Sequence, residues 1–535
     1  MKRWIAVSVL LCMILCLFTG CEKWIRSRQE KVDAIQNIPY ELDQEMVDEF
    51  YALLEESEAL CKTTEDIDAA NESIDRLDDA YLNLIDQYQI AYINYCLDQT
   101  DEAQKQQYLD CVDITTEAET AYNDMCKRVY LSDTPIRDAL FEDWTQQEID
   151  MMLKRNEEIA QLEKRNTEIT VEYRDLEEDE SWEENMVTLY NELVKNNNRI
   201  AEIYGFENYY VYAYEMIYQR DYEPEQILNM RQYVAQYLPE TYDLAMESFT
   251  DVYYGLDSEE QELVSDLMYE PYDRLDQNYA MDYIESMPEA AKEGMMDMFQ
   301  SERAVFTTYK NAYEGAFTTW IGKKPFCFYG NGYTNTLTLI HELGHYYGCS
   351  FVEPWSQPMD LSETQSQGNE WLFIRSLKEQ ASQGVYETMV EYKLLSDIGN
   401  LVCFVMIDEF EQRVYSSEGA GDMTVAEYDA IMEDVAEAYG GIDYICENMM
   451  DVQLYWKYVV LESPVYYISY AVSGVAAVNL FTIAEADPEK AHSIYITLIE
   501  DPQVEEGFLG NIQHAGLAGP FEETVYQQLY ERYAN

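Results

Sequence analysis

The stretch TNTLTLIHELGHYYG, Thr334 to Gly348, carries two of the chain's four histidines, His341 and His345, with Glu342 next to the first. On a helix, residues four apart lie one above the other on the same face, so both imidazoles aim at one point. Zinc binds neutral histidine and favours tetrahedral sites, with one position left open for water where it is catalytic. Glu342 can reach that water and act as general base. The flanks predict a helix: Asn335 or Thr334 as its cap, Leu337, Ile340 and Leu343 as its apolar side, Gly348 as its stop. Gly344 lacks a side chain, so a neighbouring segment can come close. With so few histidines in 535 residues, chance supplies this pattern on the order of 0.003 times. A zinc site therefore outweighs two histidines in polar core positions.

A third protein ligand is needed. Downstream, a loop with Pro354 and Pro358 leads into LSETQSQGNEW, Leu361 to Trp371, and the candidates are Glu353, Asp360, Glu363 and Glu370. Glu363 opens a predicted helix and can face the histidines. Glu370 can share that face but lies about 10 Å further along. Upstream, GAFTTWIGKKPFCFYGNG, Gly315 to Gly332, is the clearest strand region, with Phe326, Phe328 and Tyr329 in a β-prone run. An extended substrate could add to the edge of such a strand.

Further out the chain reads as helix after helix. Thr145 and Glu148 form a capping box that opens one long predicted helix, with Ile149, Met152, Ile159, Leu162 and Ile169 at helical multiples. The acidic cluster Asp175 to Glu180 ends it in a solvated bend. Gly205 marks a turn, Ser258 and Gln261 a helix start, and Pro239, Pro271 and Pro288 mark breaks. The apolar run Ala471 to Ala484 contains Asn479 and is too short to span a bilayer, so it is expected as a buried helix.

The chain has 104 acidic against 34 basic residues and a formal charge of −70. That surface repels phosphates and anionic headgroups, which excludes nucleic acid as a partner. The 48 tyrosines argue against disorder. At the amino terminus Lys2 and Arg3 precede the apolar run Trp4 to Phe18 and then Thr19-Gly20-Cys21. This reads as a signal peptide, 1–20, whose end resembles a bacterial lipobox with Cys21 lipidated. The expectation is an extracytoplasmic protein held to the membrane by that anchor. Eight further cysteines are scattered without C-x-x-C spacing; they permit disulfides but assign none.

H-E-L-G-H followed by E-T-Q-S-Q-x-x-E closely resembles the thimet oligopeptidase and oligopeptidase F family. So do RIAEIYGFENYYVYAYEMIYQRDYEPE, Arg199 to Glu225, and PVYYISYAVSGVAAVNLF, Pro464 to Phe481. The resemblance implies a mainly α, two-lobed zincin-like fold with a deep substrate channel and a small β-sheet beside the active-site helix. It implies an amino-terminal helical domain over 21–198 and a catalytic domain over 199–535. One Zn2+ would be held by His341, His345 and Glu363, with Glu342 activating water. Tyr467 and Tyr470 match the family's Y-x-x-Y pair and would stabilise the oxyanion. The implied enzyme is a zinc metalloendopeptidase, a monomer hydrolysing short peptides. The family's upstream histidine is absent: Tyr458 and Glu462-Ser463 stand in that neighbourhood. That motivates the alternative of a peptide-binding lipoprotein with impaired turnover. His492 and His514 are expected to be surface or core residues.

Overall fold

Side-chain caps set most of the helix boundaries in the computed structural model, which describes residues 35, 38–176, 179–269, 277–330, 335–352, 356–449 and 452–534. The signal region, Cys21, Pro271, Thr334 and Glu353 lie outside these residues. Asp43, Asp66 and Asp101 each accept a backbone N–H and so start α1 (Gln44–Thr63), α2 (Ile67–Leu97) and α3 (Glu102–Tyr130). The expected capping box of Thr145 and Glu148 forms and opens α4 (Gln146–Lys154). The single long helix expected there is two helices. Arg155 leaves the helical region at ψ 136, and Asn156 caps α5 (Glu157–Arg174) by accepting from the Ile159 N–H. Asparagine competes for backbone groups inside a helix and is more favourable as a cap, which is why the break falls here. Helix α6 (Trp182–Tyr204) ends where expected, with Gly205 left-handed at φ 93.

Proline placement corrects the sequence expectation once. Pro288 caps the helix Glu289–Gln300 as a break should, but Pro239 lies inside α7 (Pro224–Gly255). An interior proline costs about 3 kcal/mol. Burial of Ile227, Met230, Val234, Leu238, Ala245 and Phe249 along that helix offsets it. The helix Ser258–Tyr269 begins at the expected serine, yet Asp257 is the residue that accepts the N–H groups of Glu259 and Glu260.

The predicted strand region is a hairpin, β2 (Ala316–Ile321) and β3 (Lys324–Tyr329), turning through Gly322 and Lys323, both at positive φ. A third strand, β1 (Ala304–Phe306), pairs in parallel with β3 and gives the order β1-β3-β2. The strand that leads towards the histidine helix is therefore central, not an edge. Its side chains alternate. Phe326 and Phe328 pack with Ile90, Ile93 and Leu97 of α2, while Cys327 and Tyr329 join the main core.

That main core runs from Ile159 to Tyr526. A separate core, including Phe50, Leu77, Met125 and Met152, holds α1 to α4 together. The result is a mainly α, two-lobed fold with a small sheet beside the histidine helix. At the centre lie α8 (Thr336–Gly348), α9 (Met359–Gln380), α10 (Gln383–Tyr415) and α11 (Ile468–Ala486). Helix α11 is long and apolar enough to cross a membrane by length and composition, but it is mostly buried and packs on α9, as expected of a core helix.

Candidate metal centre

Asn335 accepts the Thr338 N–H at 2.9 Å and starts α8, and Ile340 and Leu343 turn its apolar side into the core. Gly344 is where α9 comes close. A Cβ there would stand 2.7 Å from Ser366 Cα and 2.9 Å from the Gln365 carbonyl oxygen. Asn369 locks the same contact by donating to the Ile340 carbonyl at 2.6 Å. This approach brings Glu363, one turn before Ser366, over the two histidines.

The three donor groups form a tight triangle. His341 Nε2 and His345 Nε2 are 3.2 Å apart, and Glu363 Oε2 lies 3.4 and 3.5 Å from them. Tetrahedral zinc with bonds near 2.05 Å sets neighbouring ligands about 3.3 Å apart. The donor set, two imidazoles and one carboxylate with a fourth position left over, thus fits zinc in both chemistry and spacing. The remaining ring nitrogens are also engaged. His341 Nδ1 is 2.7 Å from Glu370 Oε1, and His345 Nδ1 is 3.2 Å from Ser362 Oγ. With a metal on Nε2, His341 would donate Nδ1–H to Glu370, which fixes the tautomer and orientation of the ring. Glu370 is itself held by Lys393 at 3.1 Å, which also pairs with Asp397.

Electrostatics in the metal-free site favour a cation. Burial opposes a charged imidazole, but hydrogen bonds to Glu363 and Glu370 outweigh it and raise His341 well above its ordinary pKa. Burial likewise works against a charged Glu363, yet the two histidines beside it hold its carboxyl well below the usual range.

Glu342 is buried at the adjacent helical position, and its Oε2 accepts from Thr318 Oγ1 on β2 at 2.7 Å. A third element, α11 together with the residues just before it, brings tyrosines. The Tyr466 hydroxyl donates to Glu363 and lies 3.3 Å from the Tyr470 hydroxyl. The Tyr470 ring centre is 6.3 Å from that of His341. Burial, with Glu363 close by, pushes both phenols far up, so both remain protonated donors. Tyr467 packs its ring on Phe404, Tyr466 and Tyr470.

Tyr466 is the functional candidate that sequence reasoning missed. It stands just before α11, after the left-handed Val465, where no helical spacing marks it in the sequence. The other ligand candidates have different partners. Asp360 is buried 3.8 Å from Arg220 Nε, and Glu370 stands behind His341. Glu462 pairs with Arg174 at 2.9 Å, and Tyr458 is partly exposed. His492 is half-buried and His514 exposed; neither joins the cluster.

No protein-family model and no curated protein matches the sequence. Solved structures do match. PZ peptidase A, solved with an inhibitor, is 19% identical, with a TM-score of 0.74 over 93% of this chain and 99% of that one. A Bacillus anthracis protein described as an oligoendopeptidase F is 18% identical, with a TM-score of 0.71 over 94% and 98%. The Enterococcus faecium oligoendopeptidase-F is 14% identical, with a TM-score of 0.52 over 92% and 98%. The chain has the oligoendopeptidase F fold. At these identities the likeness establishes architecture along nearly the whole length of each chain. Within that fold, the candidate ligand triangle comes from α8 and α9, the tyrosines from α11 and the residues just before it, and β2 supplies Thr318.

Proposed function

We propose that this chain is a zinc-dependent oligoendopeptidase. The observation that carries the reading is the triangle of His341, His345 and Glu363 with Glu342 at the adjacent helical position. When bound, zinc supplies Lewis acidity, polarising the scissile carbonyl and lowering the pKa of water towards ~7. Glu342, oriented by Thr318, takes the proton of the attacking water and returns it to the leaving amine. Tyr470, a protonated donor beside the site, stabilises the oxyanion as it develops, and Tyr466 holds Glu363 by donating its one hydroxyl proton to it. Tyr467 packs behind them and sets where Tyr470 stands. Glu370 holds His341 in the tautomer that presents Nε2.

Likeness in fold to the oligoendopeptidases supports short peptides as substrates; a monomer and a channel between the two lobes belong to the same proposal. The amino-terminal sequence supports an extracytoplasmic enzyme tethered through a lipid on Cys21. Domain limits of 21–198 and 199–535 belong to the same reading.

A mixed short-peptide library incubated with the purified chain and read by mass spectrometry tests it, with zinc content measured on the same sample. Internal cleavage that a chelator stops is the expected result. Glu342→Gln should keep zinc and lose cleavage by at least about a thousandfold. Stoichiometric zinc with no cleavage by the unaltered chain would move the assignment to a peptide-binding protein. Equal activity of Glu342→Gln and wild type would remove Glu342 from the mechanism.

A further inference from the structure

Val465, immediately before Tyr466, has φ 62 and is almost fully buried. A β-branched residue in the left-handed region is a genuine outlier, kept only where its surroundings over-determine it. The chain bends sharply there, and the bend leaves backbone groups that must find partners away from a helix or sheet. Side chains from two other elements provide them. The Pro464 carbonyl accepts from the Tyr218 hydroxyl at 2.7 Å. The Val465 N–H donates to Glu411 Oε1 at 2.8 Å. The Val465 carbonyl accepts from Arg220 Nη2 at 2.8 Å, and the same nitrogen donates to Ser469 Oγ at 3.0 Å.

Those partners are themselves unusually placed. The side chain of Arg220 has no exposed surface, and its guanidinium lies over the rings of Tyr214 and Tyr218 at 4.2 and 4.5 Å. Tyr218 and Arg220 flank Gln219, a second non-glycine residue at positive φ, directly after a π-helical turn over Ala213–Ile217. Such turns shift the helical register and recur at functional sites. Here the shift presents two side chains to one bend 245 residues away in sequence.

The geometry points to Tyr218, Arg220 and Glu411 as positioning residues that clamp the bend Pro464–Val465–Tyr466 and thereby aim the Tyr466 hydroxyl at Glu363. The clamp rests on the peptidase reading above, in which Tyr466 serves the site. None of the three belongs to the metal-ligand group, and each acts through Tyr466.

A double-mutant cycle tests the clamp. Tyr218→Phe removes one hydroxyl and leaves the ring packed 5.9 Å from that of Tyr466. It should lower kcat roughly tenfold through misplacement, with KM changed by less than about twofold. In a Tyr466→Phe background the same change should cost less than about twofold, because the group it acts through is gone. An equal loss in both backgrounds, or no loss in either, overturns the proposal. Glu411→Gln keeps an acceptor for the Val465 N–H and should retain turnover, whereas Glu411→Leu should not. If Glu411→Leu fails to fold, the Tyr218 cycle decides alone. The rate of zinc transfer to a chelator is read on the same four proteins of that cycle. Tyr218→Phe should accelerate release, with no further acceleration once Tyr466 is phenylalanine. Should the wild type cleave no peptide, the release cycle decides, so that failure of the peptidase reading and failure of the clamp are told apart.

Discussion

At the scale of single residues, the site divides into what one helix dictates and what only the fold assembles. His341, Glu342 and His345 were legible because a single helical repeat places them. Glu363 was one of four acidic candidates until a family likeness selected it, since nothing within one element fixes a contact between α8 and α9. Tyr466 was not legible, because its aim depends on the left-handed bend at Val465, which no residue preference announces. Tyr466→Phe should lower kcat about tenfold to a hundredfold and speed zinc release, measured by steady-state kinetics and transfer to a chelator on one preparation. A second expectation follows from His341. Its raised pKa favours a proton there in the chelated protein, which on the proposed reading zinc would displace. Calorimetric titration at pH 7 in buffers of different ionisation enthalpy should register release of about one proton. The sign for stability is fixed too. A pKa raised on folding stabilises the metal-free fold fully below the unfolded value of about 6.5 and loses that contribution as pH rises through the raised value. The melting temperature of the chelated protein should therefore fall across that upper window relative to the zinc-loaded form.

At the scale of elements, the critical contact is α8 against α9 at Gly344. Gly344→Ala would push a methyl group into the Ser366 backbone. The expected cost is about 2 kcal/mol in urea denaturation, with zinc bound more weakly, because Glu363 would move away from the histidines. Unchanged zinc affinity would show that the helices are not held at that distance by the glycine. Elements with a strong local signature were readable: the capping box at Thr145, the turn at Gly205 and the strand region in Gly315 to Gly332. Those decided by competition were not. Asn156 splits a helix that the apolar periodicity runs straight through, and Pro239 stays inside one because packing outweighs the lost hydrogen bond. Strand β1, three residues long, exists only by pairing with β3.

At the scale of the whole molecule, the formal charge of −70 sets a field that any substrate must cross. Cationic peptides should be captured faster than neutral ones, and that advantage should vanish between low salt and about 0.5 M, where screening shortens to a few ångströms. Measuring kcat/KM for a matched lysine-rich and uncharged pair across that range checks it. Identical salt responses would exclude steering. Among the described residues seven cysteines are free and buried, and burial pushes the Cys96 and Cys349 thiols up to about 12, so few of their thiolates are available for exchange.

The two cores also set an order in time. The core of α1 to α4 is complete once Met152 has been made, whereas the main core still waits for residues near its end: the helix Glu523–Ala534 packs on α7. A ribosome adding about 5–20 residues per second leaves the main core open for tens of seconds after the first lobe can close. On the proposed reading, the ability to cut other peptides arises only after the helix Glu523–Ala534 has packed, long after the first lobe can close.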